Sequence, residues 1–171
     1  TTSALDIDNE KAKDVIKVLD DKMTFGEAGR GSNLGAGMAF SQYKNVATYC
    51  AVGIEVEIND AAEVILHRAW IVADAGEVVD PEGLTAQLEG GLIQAASWAL
   101  MEEVTYDSGG VTSRDWDSYP IIRFNNIPEI HTVLMERPGE PFLGAGEASS
   151  GPTGGAMINA IYNAVGLRLR R

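Results

Sequence analysis

The chain of 171 residues predicts an α+β fold in two layers, a mixed sheet with helices packed on one face. Three observations lead there. A period-two run from Val46 to Ile58 and an apolar run from Glu63 to Asp74 are separated by a turn at Asn59-Asp60, close enough to form an antiparallel hairpin. Helical periodicity comes before that hairpin, after it and at the C-terminal end. The order is helix, hairpin, long helix, strands, helix, and not the strict alternation of a doubly wound parallel sheet.

The first helix is read from Asp8 to Met23. Ala12, Val15, Ile16, Leu19 and Met23 recur at helical spacing, with Lys and Asp on the other side. Gly26 ends it, and the Gly-rich stretch from Gly29 to Gly37 reads as a loop. The first strand runs from about Val46 to Ile58. Its even-numbered positions, Cys50 among them, form the buried face. Cys50 is therefore read as packing and not as a reactive thiol. The second strand, Glu63 to Asp74, is apolar on both faces, and His67 within it reads as a hydrogen-bonded structural histidine. Asp80 and Pro81 then mark a helix start, with an N-cap followed by proline at the first helical position. That helix is read to about Val104. Its second half is apolar all round except for Gln94 and Ser97, so it belongs in a larger body. Asp107 to Gly110 is a turn between short strands, and Glu129 to Met135 is a further strand. The last helix spans Pro152 to Val165 and is capped by Gly166. Arg168, Arg170 and Arg171 form a solvated end.

The whole chain, 1–171, reads as a single domain without repeats or linkers. Its 13 Lys+Arg against 25 Asp+Glu give a formal net charge of −12, which disfavours nucleic acid and anionic membrane surfaces. One cysteine excludes an internal disulfide framework. His67, His131 and Cys50 are too far apart in sequence to suggest a local zinc site, so no metal ligand is assigned. No apolar run is long enough to span a bilayer.

Two features could carry chemistry. In the run Phe142 to Pro152, Glu147 stands among small residues just ahead of a helix N-terminus. Glycines let a ligand approach the backbone, and the helix end offers free N–H groups. Glu147 is either a contact to the first helical turn or a general base facing a ligand. Gln94, inside the apolar helical stretch, is either a buried amide bonded within the domain or an amide aimed at a polar ligand.

Four stretches carry a resemblance to a known family. They are Asp74-Ala75-Gly76 to Asp80-Pro81, the helix Glu89-Gly90-Gly91 to Gln94 and Leu100, the segment with Asp117, Tyr119, Pro128 and Glu129, and the loop Gly144-Ala145-Gly146-Glu147. In that order they resemble the C-terminal part of the molybdenum-binding large subunit of the xanthine dehydrogenase/aldehyde oxidase family. Within it, the likeness is greatest to the bacterial isoquinoline 1-oxidoreductase beta subunits. Departures are Ala148, Ala95 and Ala75, where the family has Pro, Gly and Cys.

The resemblance implies a fragment of a much longer large subunit. It implies a molybdopterin-dependent oxidoreductase acting on an aldehyde or an N-heterocyclic aromatic carbon, with water as oxygen source. Glu147 would be the catalytic base, in a closed and weakly polar surround, and Gln94 and Gly146 would contact the molybdenum–pterin cofactor. Iron–sulfur clusters would lie on a small partner subunit. The other partners would be the rest of the large subunit and a small-molecule substrate. The fragment alone would be inactive, bind no cofactor and self-associate. Its compartment, bacterial cytoplasm or periplasm, is not fixed. The alternative is a non-catalytic α+β binding or assembly module that keeps only the scaffold.

Overall fold

The computed structural model describes residues 7–23 and 32–168. In chain order the elements are helix α1 (Asn9–Lys22), strand β1 (Leu34–Gln42), a 3-10 turn (Tyr43–Asn45), β2 (Tyr49–Ile58) and β3 (Val64–Asp74). Then come α2 (Pro81–Leu100), the short pair β4 (Tyr106–Asp107) and β5 (Gly110–Val111), a second 3-10 turn (Phe124–Asn126), β6 (Glu129–Leu134) and α3 (Ser150–Val165). The main sheet has the order β1-β2-β3-β6. Its first two pairings are antiparallel and β3–β6 is parallel, so the sheet is mixed and the class is α+β, as the sequence predicts. The expected hairpin is β2–β3. Its turn is held by Asn59 Oδ1, which accepts from the N–H groups of Ala61 and Glu63. Asp80 caps α2 by accepting from Gly83 N–H, and Gly166 closes α3 at φ 72°.

Alternation divides the sheet's two faces. Cys50, Val52, Ile54 and Val56 of β2, with Ala69, Ile71 and Ala73 of β3, pack against Leu88, Leu92 and Ala96 of α2 and Ala156, Met157 and Ala160 of α3. The other parity, Tyr49, Ala51, Trp70 and Val72, packs against Ala12, Val15, Leu19 and Met23. The two-layer expectation is corrected in this respect: α1 covers the second face. The physical reason lies in β3, whose apolar residues on both faces need cover on both sides.

A second correction concerns the Gly-rich stretch. Residues 29–31 of that loop reading, like Gly26, Arg170 and Arg171, lie outside the described residues. From Leu34 onward the chain is strand β1, at the sheet edge. A Cβ on Gly35 would lie 2.1 Å from the Ala160 carbonyl oxygen, and one on Gly37 would lie 2.2 Å from the Ala160 nitrogen. The glycines are there because the α3 backbone crosses β1 that closely. Asn163 Oδ1 accepts from Ala36 N–H and Asn159 Nδ2 donates to the Met38 carbonyl, so α3 also satisfies the free edge. Arg168, expected to be a solvated end, donates to Asn159 and stacks over Tyr162.

Helix α2 stops at Leu100, short of the Val104 expected. Beyond it, residues 101–128 form an exposed arm fixed at its base by buried Ser97. The Ser97 hydroxyl donates to Glu102 and accepts from Ile122 N–H, while Tyr119 donates to Glu102 at 2.8 Å. That carboxylate pushes the Tyr119 phenol above its ordinary pKa.

Candidate active site

The segment from Pro141 to α3 has almost no side chains of its own to pack, so its neighbours hold it. Leu143 N–H donates to the Ala75 carbonyl at 2.7 Å, just past β3. The Gly144 carbonyl accepts from Thr48 Oγ1 at 2.9 Å and from Thr48 N–H at 3.3 Å. Gln87 of α2 donates to the Gly146 carbonyl. Ser149 Oγ donates to the Leu88 carbonyl at 2.6 Å, and Ser150 Oγ to that of Gly91 at 3.2 Å. Gly91 permits this docking, since a Cβ there would lie 2.6 Å from Ser149 Oγ. The Gly–Ala–Ser composition thus lets backbone and hydroxyls lock the loop across α2, the β1–β2 connection and the end of β3.

Glu147 follows in the turn before α3, and its side chain is exposed. Its Oε2 accepts from the Tyr43 hydroxyl at 3.3 Å. It lines a cleft with Ser41, Gln42, Tyr43, Lys44, Trp98 and the start of α3. Two expectations are corrected here. The surround is not closed in this chain, because only Ala148 and Ser149 beside Glu147 are buried. The side chain bonds to Tyr43, across the cleft, and not to the first turn of α3. In the same cleft Gln42 Oε1 is buried without a hydrogen-bond partner, while its Nε2 donates to the Ala47 carbonyl. A buried unpaired acceptor is costly unless a ligand or water reaches it.

Gln94 lies on the outward side of α2 and is exposed, which overturns the reading of a buried structural amide. It lines a groove with Ile93, Trp98, Trp116, Tyr119 and Ile121, between α2 and the arm. Trp98, 48% exposed, lines both this groove and the Glu147 cleft. The exposure of this helix face agrees with its apolar composition, which calls for a larger body. Gly146 is exposed in the turn beside Glu147.

Cys50 is fully buried, and desolvation pushes its thiol up to about 12, as expected of a packing residue. His67 is exposed and bonds Glu57 across the hairpin at 2.8 Å. Among the described residues no three His, Cys, Asp or Glu come together as a metal site.

The sequence reading places Glu147 correctly ahead of α3 and misses Ser41, Gln42 and Tyr43, which build the opposite wall. A first strand beginning at Val46 leaves these residues in no element. The alternation Leu34, Ala36, Met38, Phe40 is the available signal, and the intervening glycines mask it.

The chain matches the molybdopterin cofactor-binding domain family over residues 3–128 and belongs to that family. Its relatives place it in the xanthine dehydrogenase/aldehyde oxidase group. It is 36% identical over 143 residues to a nicotinate dehydrogenase subunit of Pseudomonas putida, covering 80% of this chain and 12% of that protein. It is 33% identical over 157 residues to the beta subunit of isoquinoline 1-oxidoreductase of Brevundimonas diminuta, covering 91% of this chain and 20% of that protein. The crystal structure of the aldehyde oxidoreductase from Desulfovibrio desulfuricans superposes with a TM-score of 0.63 and 30% identity, over 71% of this chain and 14% of that one. The chain thus spans a fifth or less of the length of these proteins. Glu147 and Gly146 lie beyond the family-wide match, which contains Gln94.

Proposed function

We propose that this chain is one domain of the molybdenum-binding large subunit of a molybdenum hydroxylase, with Glu147 as its general base. One observation carries the reading. In a chain of the molybdopterin cofactor-binding family, the one ionisable side chain of the loop 143–149 stands exposed at a cleft directly ahead of α3.

The residues present fit a pterin-type cofactor. Gln42 Oε1 is a buried acceptor that lacks a donor. Gln94 presents a free amide on α2, and Gly144 and Gly146 leave room for close approach: a Cβ on Gly144 would meet nothing within 4 Å. Gln94 and the backbone at Gly146 would hold the cofactor, with Gln42 as a further acceptor. When bound, that group supplies two-electron oxidation of a substrate carbon, with water as the oxygen source and electrons leaving to iron–sulfur clusters on a partner subunit.

The chain's own part is proton handling and orientation. With Oε2 bonded to Tyr43, Oε1 of Glu147 would accept the proton released from the O–H of the water-derived oxygen as that oxygen bonds to the substrate carbon. Positioned bases of this kind contribute about 10²–10⁴-fold. The substrate class we propose is an aldehyde or an N-heterocyclic aromatic carbon, supported by relatives named for nicotinate, isoquinoline and aldehydes. The 171-residue chain alone is proposed to be inactive and free of cofactor, since only part of the holding surface is its own. Glu147→Gln in the assembled enzyme tests the reading. The amide keeps the shape and cannot take the proton, so turnover falls while molybdenum content holds.

A further inference from the structure

We propose that Tyr43 is the positioning residue that fixes the Glu147 carboxylate, an inference that rests on Glu147 being the base. A glutamate side chain has three rotatable bonds, and an exposed one samples many orientations. Glu147 is held by a single side-chain contact, the 3.3 Å bond from the Tyr43 hydroxyl to Oε2. The donor is anchored through its own backbone and ring. Tyr43 N–H donates to the Thr48 carbonyl at 2.8 Å, and the Tyr43 carbonyl accepts from Val46 and Ala47 N–H at 3.3 and 2.9 Å. Lys44 and Asn45 adopt positive φ, 52° and 60°, in the reversal that follows. The ring packs on the sheet core, and the Lys44 ammonium lies 5.1 Å from its centroid.

The same corner holds the loop a second time. Thr48, the residue that receives the Tyr43 N–H, donates to the Gly144 carbonyl through both its nitrogen and its hydroxyl. The β1–β2 connection therefore grips the Glu147 loop at Gly144 through backbone and at Glu147 through the phenol. Fixing a reacting group before the reaction lowers the entropic part of the barrier. Tyr43 touches neither cofactor nor substrate in this scheme; it acts through Glu147.

A double-mutant cycle in the assembled enzyme tests this. Tyr43→Phe keeps the ring and removes the donor. At 3.3 Å this bond is longer than a standard O–H···O contact, so its loss lowers kcat by about 2- to 10-fold at most, with KM and molybdenum content unchanged. In a Glu147→Gln background the same substitution has no further effect. A readout independent of turnover is the side-chain carboxyl ¹³C signal of Glu147 in the 171-residue chain, assigned by its loss in Glu147→Gln, which shifts in Tyr43→Phe. An equal loss of kcat in both backgrounds, or an unmoved carboxyl signal, overturns the assignment of Tyr43. Full turnover in Glu147→Gln alone overturns the base reading instead, so the two failures are distinct.

Discussion

The two faces of the sheet are fastened in different ways. Against one face, α3 approaches β1 so closely that glycine is needed at 35 and 37, with Ala156, Ala160 and Ala164 on the helix side. No ion pair of the described residues joins α2 or α3 to the strands beneath them. Against the other face, α1 buries Val15 and Leu19 and is then tied at its rim by charge. Arg137 bonds Asp14 of α1 at 2.7 Å and fully buried Asp74 at the end of β3 at 2.8 Å, and Lys11 pairs with Glu140. Asp14 first, then Asp74, hold the Arg137 guanidinium more firmly protonated than usual. Asp8 N–H adds a bond to the Tyr49 hydroxyl at 3.0 Å. The face that carries the candidate site is thus set by backbone contact, which side chains cannot relax. The α1 face adds to its apolar contacts a rim of ionic side chains, of which Asp74 is fully buried and the others reach solvent.

Breaking the charged side has the largest expected effect. Asp74→Asn leaves Arg137 with only its outer partner and removes a buried charge pair, at a cost of about 3 kcal/mol. Urea unfolding of the chain checks this, and the loss should fall on α1 while β1 and α3 keep their contacts. On the other face, Gly37→Ala pushes a methyl group against the α3 backbone and should cost about 1–3 kcal/mol. Gly144→Ala, with open space at the same kind of residue, should be near neutral by the same measurement.

An effect that is absent at neutral pH, and so the smallest there, emerges only in alkali on the α2–α3 face. Burial raises the Cys50 thiol from 9.0 to about 12. The folded state therefore holds this proton more tightly than the unfolded one. Its contribution is complete below about pH 9 and is lost as pH rises from there toward 12, by about 1.4 kcal/mol per pH unit. Cys50→Ala should flatten that part of the stability curve, and the folded thiol should resist alkylation at neutral pH.

How legible this is in the sequence follows the same division. The β2–β3 hairpin, the Asp80–Pro81 start of α2 and the Gly166 cap are readable because each is set by local rules: alternation, a capping side chain, a left-handed residue. Strand β1 is not, because its glycines answer to a helix more than a hundred residues later. The parallel β3–β6 pairing and the cover of α1 are likewise long-range. At the site, Glu147 is legible from its position among small residues before α3, and Gln94 from being polar in an apolar run. The exposure of Gln94 is not, since such a run reads as buried all round. Tyr43 and Gln42 are hidden because their role depends on the β1–β2 connection meeting the loop at Gly144.

The most direct measurement is the turnover of Glu147→Gln in the assembled, cofactor-loaded enzyme. With Glu147 as general base, turnover should fall by at least about 10²-fold while molybdenum content and unfolding temperature stay at parental values. An enzyme with full cofactor and more than roughly a tenth of parental turnover would contradict the account.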